Sequence, residues 1–439
     1  MSTTQPNGQH HREAKQQGLA THGAHRQATA SDLRERMPET GLREYWYPAM
    51  AARKVGKRKP VALRILGGEL VLFRDKRGEV VALQNACPHR GMPLAMGDCH
   101  FAGTVSCPYH GWTYDPAGEC VAVLGEGPDS AIAGMRDARA RVYPTQTLKG
   151  IVFVWMGDGP PAPIEEDVPE EFFDDEALIF ASETVWQCNW RPAIENIYDA
   201  HVFYVHRNSV QFWLVPRDLF LTMSRMGSRR ARPSIINGRG LTYRLEENPV
   251  RGQLGFESTE SQEPAYQDAY PGLDGAKWPK SAWRLHWHRV VSWLRRQRTL
   301  PALVRSEEWN GFHLPCTFRV DYRTFIYTRC TVPIDREQSR MFYFHATRPG
   351  STRRRWVDTL VFYVWRNWQM NYNFSGQDRR LVENQRYDTP EKLSGTDLFP
   401  LETRRLIVNH GRDFQRAREG DEAERLDTAS APVLEPAGD

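Results

Sequence analysis

Between Val61 and Gly157, apolar residues come in short runs that alternate with polar ones or stand as brief unbroken stretches. VALRIL from Val61, ELVLFRD from Glu69, GEVVALQNA from Gly78 and IVFVWMG from Ile151 have the length and composition of strands. Asp75-Lys76-Arg77-Gly78 and Asp115-Pro116-Ala117-Gly118 are hairpin-type turns. An all-β module is expected here. Gly159-Pro160-Pro161-Ala162-Pro163, with the acidic stretch Glu165 to Glu176 behind it, reads as a linker. After Ile179 the pattern is mixed. Thr184 to Tyr204 reads as a strand leading into a helix. FRVDYRTFIYTRCTVPID from Phe318 and RMFYFHATRP from Arg340 read as neighbouring antiparallel strands, and Trp356–Asn384 and Pro400–Arg418 as helices. Strands backed by long helices predict an α+β domain rather than a βαβ array.

The 439 residues are enough for two or three domains. Residues 1–41 are polar and read by composition as a disordered arm, with His10, His11, His22 and His25 solvated. Residues 42–160 form the first domain and 161–418 the second; 419–439 are an acidic tail. A formal charge of +4, without basic repeats interleaved with aromatics, gives no footprint for nucleic acid. No run of eighteen apolar residues predicts a membrane span, and the N-terminus has no apolar core of a secretory signal. Seven scattered Cys argue against a disulfide framework and for a reducing, cytoplasmic setting. Trp283, Trp287, Val290, Val291 and Leu294 recur at helical spacing among arginines, as in a surface helix burying its Trp stripe. A basic docking face for an acidic electron-transfer partner is the alternative.

The chemistry concentrates in two turns, Cys87-Pro88-His89-Arg90-Gly91 and Cys107-Pro108-Tyr109-His110-Gly111-Trp112. C-x-H and C-x-x-H supply two thiolates and two imidazoles, the donor set of a [2Fe–2S] cluster with Cys₂ on one iron and His₂ on the other. A structural Cys₂His₂ zinc site is the other reading. Zinc favours C-x₂₋₄-C and H-x₃₋₅-H arms, whereas each arm here mixes one Cys with one His. The stretch resembles the Rieske cluster motif. Respiratory Rieske proteins add a disulfide beside the ligand loops, where this chain has Met92 and Tyr109.

A cluster that delivers electrons needs a site that consumes them. His201 and His206, four residues between them, together with Asp378 in Gly376-Gln377-Asp378, would make a 2-His-1-carboxylate set. Such a facial triad holds Fe(II) and keeps positions for dioxygen and substrate. Standing alone, two His at that spacing are more often unrelated. His313 and His345 lie in strand-like runs and read as core or pocket residues, and Cys188, Cys316 and Cys330 as buried thiols.

Taken together, residues 45–418 resemble the large subunit of Rieske non-heme iron oxygenases. The carrying motifs are the cluster ligands, Asn196-x-x-Asp199-x-His201-x₄-His206, and Gln377-Asp378-x₄-Glu383-Asn384-Gln385. The resemblance is closest to ketosteroid hydroxylases, aryl-ether O-demethylases and carbazole-type dioxygenases. It implies a Rieske β-domain followed by a helix-grip domain, an antiparallel sheet around a long helix. It also implies a homotrimer, a ferredoxin or reductase donor, dioxygen and an apolar ring-containing substrate. Cys87, His89, Cys107 and His110 would hold the cluster, and His201, His206 and Asp378 mononuclear Fe(II). Asp199 would act as an electron bridge between subunits, with Asn196 near the iron. The family places two residues between that Asp and the first His, whereas only Ala200 intervenes here; counted back from His201, Tyr198 holds the family's Asp position. Phe203, Tyr204, Phe212 and Trp213 would flank the iron or simply fill a core. A non-catalytic electron carrier with a docking domain remains the other class of function.

Overall fold

In the computed structural model the described residues are 30–197, 205–210, 231–245, 311–321, 325–394 and 397–420. The chain enters through helix α1 (Ala30–Arg36), within the arm expected to be disordered, and buries Leu33 and Met37. Two apolar residues in a polar stretch give no compositional signal, but each meets a prepared surface. Met37 joins the core that contains Leu42 and Tyr45, and the Tyr387 hydroxyl approaches its sulfur at 4.0 Å.

Ten short strands follow: β1 (Trp46–Ala51), β2 (Val61–Ile65), β3 (Gly68–Arg74), β4 (Val80–Gln84), β5 (Val105–Ser106), β6 (Trp112–Tyr114), β7 (Cys120–Val123), β8 (Val142–Tyr143), β9 (Thr145–Leu148) and β10 (Ile151–Trp155). They make three small antiparallel sheets, β1-β10-β9, β2-β3-β4-β8 and β5-β6-β7. The two predicted turns are built alike. Asp75 Oδ1 accepts from the N–H of Glu79 at 2.8 Å, and Asp115 Oδ1 from that of Glu119 at 2.9 Å.

The acidic stretch expected to be a linker is packed against the rest of the chain. Ile164, Val168 and Phe172 are buried, and the carboxylates pair with distant cations. Asp167 and Glu166 take Arg412 at 2.9 and 2.8 Å, and Glu171 takes the fully buried Arg319 at 3.2 Å. Composition registers the charge of such a run but not its partners, which come from the far end of the chain.

β11 (Leu178–Trp186), β12 (Ala231–Ile236), β13 (Gly240–Leu245), β14 (Gly311–His313), β15 (Thr317–Asp321), β16 (Ile326–Pro333) and β17 (Ser339–Thr347) form one antiparallel sheet, ordered β11-β17-β16-β15-β14-β13-β12. Side chains alternate between its faces. Phe342 and Phe344 of β17 face the small sheets, where Phe344 meets Phe172 edge-on at 5.1 Å. Met341, Tyr343 and His345 face the other way, onto a long helix.

Helix α2 (Trp190–Glu195) follows β11, capped by Asn189, whose Oδ1 accepts from Arg191 N–H at 3.0 Å. The long helix is α3 (Thr352–Val361), two π-helical stretches at Phe362–Arg366 and Trp368–Phe374, and α4 (Ser375–Val382). Its inner side buries Phe362, Met370, Asn371 and Asp378, while Trp356, Leu360, Tyr363, Val364 and Trp368 are exposed. An all-β module followed by a sheet gripping a helix is the expected α+β fold. No helix among the described residues is long and apolar enough to cross a membrane.

Helix α5 (Leu398–His410) brings the chain back to α2. Arg404, with 2% of its side chain exposed, meets Glu195 at 2.8 Å and also pairs with Glu391. Burial pushes the Glu195 carboxyl up, opposed by Arg404 and by a 3.1 Å hydrogen bond from Tyr387. Arg404→Met leaves a buried carboxylate without its cation and is expected to destabilise the fold by about 3–5 kcal/mol. A urea titration reads this as a lowered midpoint with an unchanged slope.

Candidate functional site

Each cluster turn is closed on its own cysteine. Gly91 N–H donates to Cys87 O at 2.8 Å and Cys87 N–H to Met92 O at 2.9 Å; Gly111 N–H donates to Cys107 O at 3.1 Å and Cys107 N–H to Trp112 O at 2.7 Å. Both turns need a left-handed residue, supplied by Gly91 at φ 72° and Gly111 at φ 70°. The turns face each other. The His89 and His110 rings lie 4.8 Å apart, with Trp112 stacked on His89 and Tyr109 against His110. Cys87 and Cys107 are buried side by side, and Cys87 Sγ is 3.2 Å from the Tyr114 hydroxyl. Burial pushes the Cys87 thiol up, Tyr114 opposes this, and Cys107 adds to it.

These residues fit an iron–sulfur cluster. The buried Nδ1 of His110 has no hydrogen-bond partner among the described residues, and a coordinating thiol is deprotonated outright by a cationic metal. The glycines make a graded test. A Cβ on Gly91 meets nothing within 4 Å, whereas one on Gly111 would lie 2.6 Å from Leu124 Cβ. Gly91→Ala should cost about 1–2 kcal/mol of left-handed strain. Gly111→Ala should cost more and lower cluster content, read as loss of visible absorbance during a thermal melt.

The second set of residues comes from distant parts of the chain. His206, on a 3₁₀ turn at His206–Asn208, has 1% of its side chain exposed, and its Nε2 is 3.2 Å from Oδ1 of Asp378, 7% exposed. Phe374 stacks on the His206 ring at 3.6 Å. Asn373 ties the segment after His206 to the long helix, accepting from Val210 N–H at 2.9 Å and Ser209 Oγ at 3.2 Å. Tyr327 reaches Ser375, one turn before Asp378, at 3.3 Å. Asn196 ends α2, its N–H donating to Pro192 O at 3.1 Å.

His201, Asp199, Tyr198, Phe203, Tyr204, Phe212 and Trp213 lie outside the described residues, as does the Trp283–Leu294 stripe. Among the described residues no three His, Cys, Asp or Glu converge as a ready-made single-ion site. The donors come in pairs: thiol with thiol, ring with ring, His206 with Asp378. Asn373, Phe374 and Tyr327 went unmarked in the sequence, because an isolated Asn or aromatic in a helix or strand is indistinguishable from packing. Cys188, Cys316 and Cys330 are buried, and burial pushes Cys188 and Cys330 up to about 12.

A model of the Rieske [2Fe-2S] domain matches residues 45–134. A second model, described as a homotrimeric ring hydroxylase, matches residues 155–382, more than half of the chain. The chain belongs to the homotrimeric ring hydroxylases. The chain is 34% identical over 171 residues to the terminal oxygenase component CarAa of carbazole 1,9a-dioxygenase from Metapseudomonas resinovorans, covering 39% of this chain and 44% of that one. It is 33% identical over 184 residues to the 3-chlorobenzoate-3,4-dioxygenase oxygenase subunit of Comamonas testosteroni, covering 40% of each. These matches span less than half the length of the curated relatives. The terminal oxygenase of carbazole 1,9a-dioxygenase from Nocardioides aromaticivorans IC177 superposes with a TM-score of 0.63 at 27% identity, over 87% of this chain and 98% of that one. Rieske oxygenases pair the [2Fe–2S] domain with a mononuclear iron at the catalytic site.

Proposed function

We propose that this protein is the terminal oxygenase of a multicomponent Rieske system, hydroxylating or oxidatively dealkylating an apolar ring-containing small molecule. The observation that carries the proposal is the buried contact of His206 with Asp378, in the same chain as the paired Cys/His turns. Cys87, His89, Cys107 and His110 hold the [2Fe–2S] cluster; His201, His206 and Asp378 hold Fe(II). When bound, these groups supply one-electron delivery and activation of dioxygen.

The protein's own contribution is orientation and exclusion of water. Phe374 and Asn373 fix the His206 turn, and Ser375 with Tyr327 fixes the helix one turn from Asp378. Phe325, Tyr327, Met341 and Tyr343 make the apolar wall facing the long helix. Tyr109 and Leu124, exposed beside His110, suit a ferredoxin or reductase donor. Solved relatives include an oxygenase in complex with ferredoxin. The working unit is a homotrimer, with Asp199 as the electron bridge between subunits and Asn196 near the iron, in a cytoplasmic setting.

Iron content and product formation test the reading. Purified protein should hold three irons per chain and consume dioxygen when reduced in the presence of a ring substrate, giving an oxygenated product. Two irons per chain and no product with a panel of aromatic and steroid-like compounds would favour the electron carrier instead.

A further inference from the structure

β16 presents Tyr327 and Arg329 on the face toward the long helix, since residues two apart along a strand share a face. Tyr327 reaches Ser375, one turn before Asp378, at 3.3 Å. Arg329 reaches a different element. It is 4% exposed, and its Nη2 donates at 3.2 Å to the Ala193 carbonyl in the last turn of α2. Its guanidinium lies over the Trp186 ring at 5.5 Å, and among the described residues no carboxylate pairs with it. Its Nε has no hydrogen-bond partner among them either. The carbonyl needs this donor. The last carbonyls of a helix lack intrahelical partners, and Ile197 N–H passes over Ala193 O to donate to Ile194 O at 3.2 Å.

A buried cation without a counter-ion destabilises a fold. What it supplies here is direction. α2 ends at Glu195 and the chain runs on through Asn196 and Ile197 to His206, so the last turn of α2 sets where the imidazole segment starts. The beginning of α2 is fixed separately: Asn189 donates to the Glu39 and Arg336 carbonyls at 2.9 and 2.7 Å, and Trp190 to the Pro38 carbonyl at 2.8 Å. Arg329 ties its end to the strand that also holds the Asp378 helix. Burial pushes the Tyr327 and Tyr343 phenols up; Arg329 opposes this and Asp378 adds to it, so guanidinium and carboxylate act on the same two rings. Resting on the oxygenase reading above, we propose that Arg329 is a positioning residue for the mononuclear iron site. With Tyr327 it makes β16 a clamp that sets the imidazole segment against Asp378.

The probe is Fe(II) itself. Protein with its cluster intact is stripped of mononuclear iron by a chelator, and Fe(II) is returned by anaerobic equilibrium dialysis to give a dissociation constant. Arg329→Met should weaken Fe(II) binding about tenfold or more, the usual effect of losing a group that orients metal ligands. Arg329→Lys keeps a donor for the Ala193 carbonyl but not the rigid fork, and should weaken it less. The direction of the change is decisive. A cation acting only through its charge repels a dication, so its loss would tighten Fe(II) binding. A residue that only packs would lower the melting temperature and leave the constant unchanged. Either result would overturn the clamp while leaving the oxygenase reading intact. If Arg329→Met loses the cluster spectrum and fails to fold, Arg329→Lys decides, and an unchanged constant there overturns the clamp. Unmodified protein that takes up no Fe(II) beyond its cluster would overturn the oxygenase reading, and the clamp with it.

Discussion

Asp378→Ala should empty the mononuclear site and leave the cluster untouched. Iron should fall by about one atom per chain, turnover by more than about 100-fold, and the visible and EPR spectra of the reduced cluster should not change. Asp378 and His206 face each other at 3.2 Å with almost no solvent. Without the carboxylate only imidazoles would remain in the proposed ligand set, and a dication held by them alone would lose both charge compensation and a fixed coordination face. Asp378→Asn keeps the shape but not the charge, so it should fall between the two. The independence of the cluster follows from its construction, since both of its turns close on their own backbone. Full iron retention and turnover in the Ala variant would rule Asp378 out as a ligand.

Two inactive variants, Cys107→Ser and His206→Ala, should recover activity when mixed within one oligomer. Each alone is expected to be inactive: the first lacks a cluster thiolate, and the second lacks an imidazole that is buried against Asp378 and Phe374. In a closed head-to-tail ring, some junctions would bring an intact Cys/His set of one chain to an intact His206/Asp378 set of its neighbour. Partial activity after co-expression, scaling with the mixing ratio, is the expected result. No activity at any ratio would mean that each chain works alone. Asp199→Asn in the same assay removes a charge while keeping shape, and near-normal turnover would move the bridging role to Tyr198 or to direct His-to-His contact.

What the sequence by itself determined is what local geometry can encode. The cluster turns are legible because each Cys, His and Gly acts within five or six residues, and the hydrogen bonds that close each turn are its own. The strand runs are legible because a two-residue period separates Phe342 and Phe344 from Met341, Tyr343 and His345 before any partner is known. The wrapping of the sheet around the helix was reached through resemblance, since periodicity carries no information about which strands become neighbours.

Tertiary structure decided the rest, through contacts whose partners lie far apart. Arg404 and Glu195 are 209 residues apart, and Asn373 and Ser209 are 164 apart. Nothing near either member of such a pair announces the other. The acidic stretch after Pro163 reads as a linker because its cations, Arg319 and Arg412, arrive from elements later in the chain. The long helix was predicted, but not its π-helical turns from Phe362 to Phe374, because a widened turn alters which residues face inward without altering their composition. That change of facing matters most for Asn371, Asn373 and Asp378. The sequence identifies them as polar residues on a helix, and only the packed helix turns Asn371 onto His345, Asn373 onto the segment after His206, and Asp378 onto His206 itself.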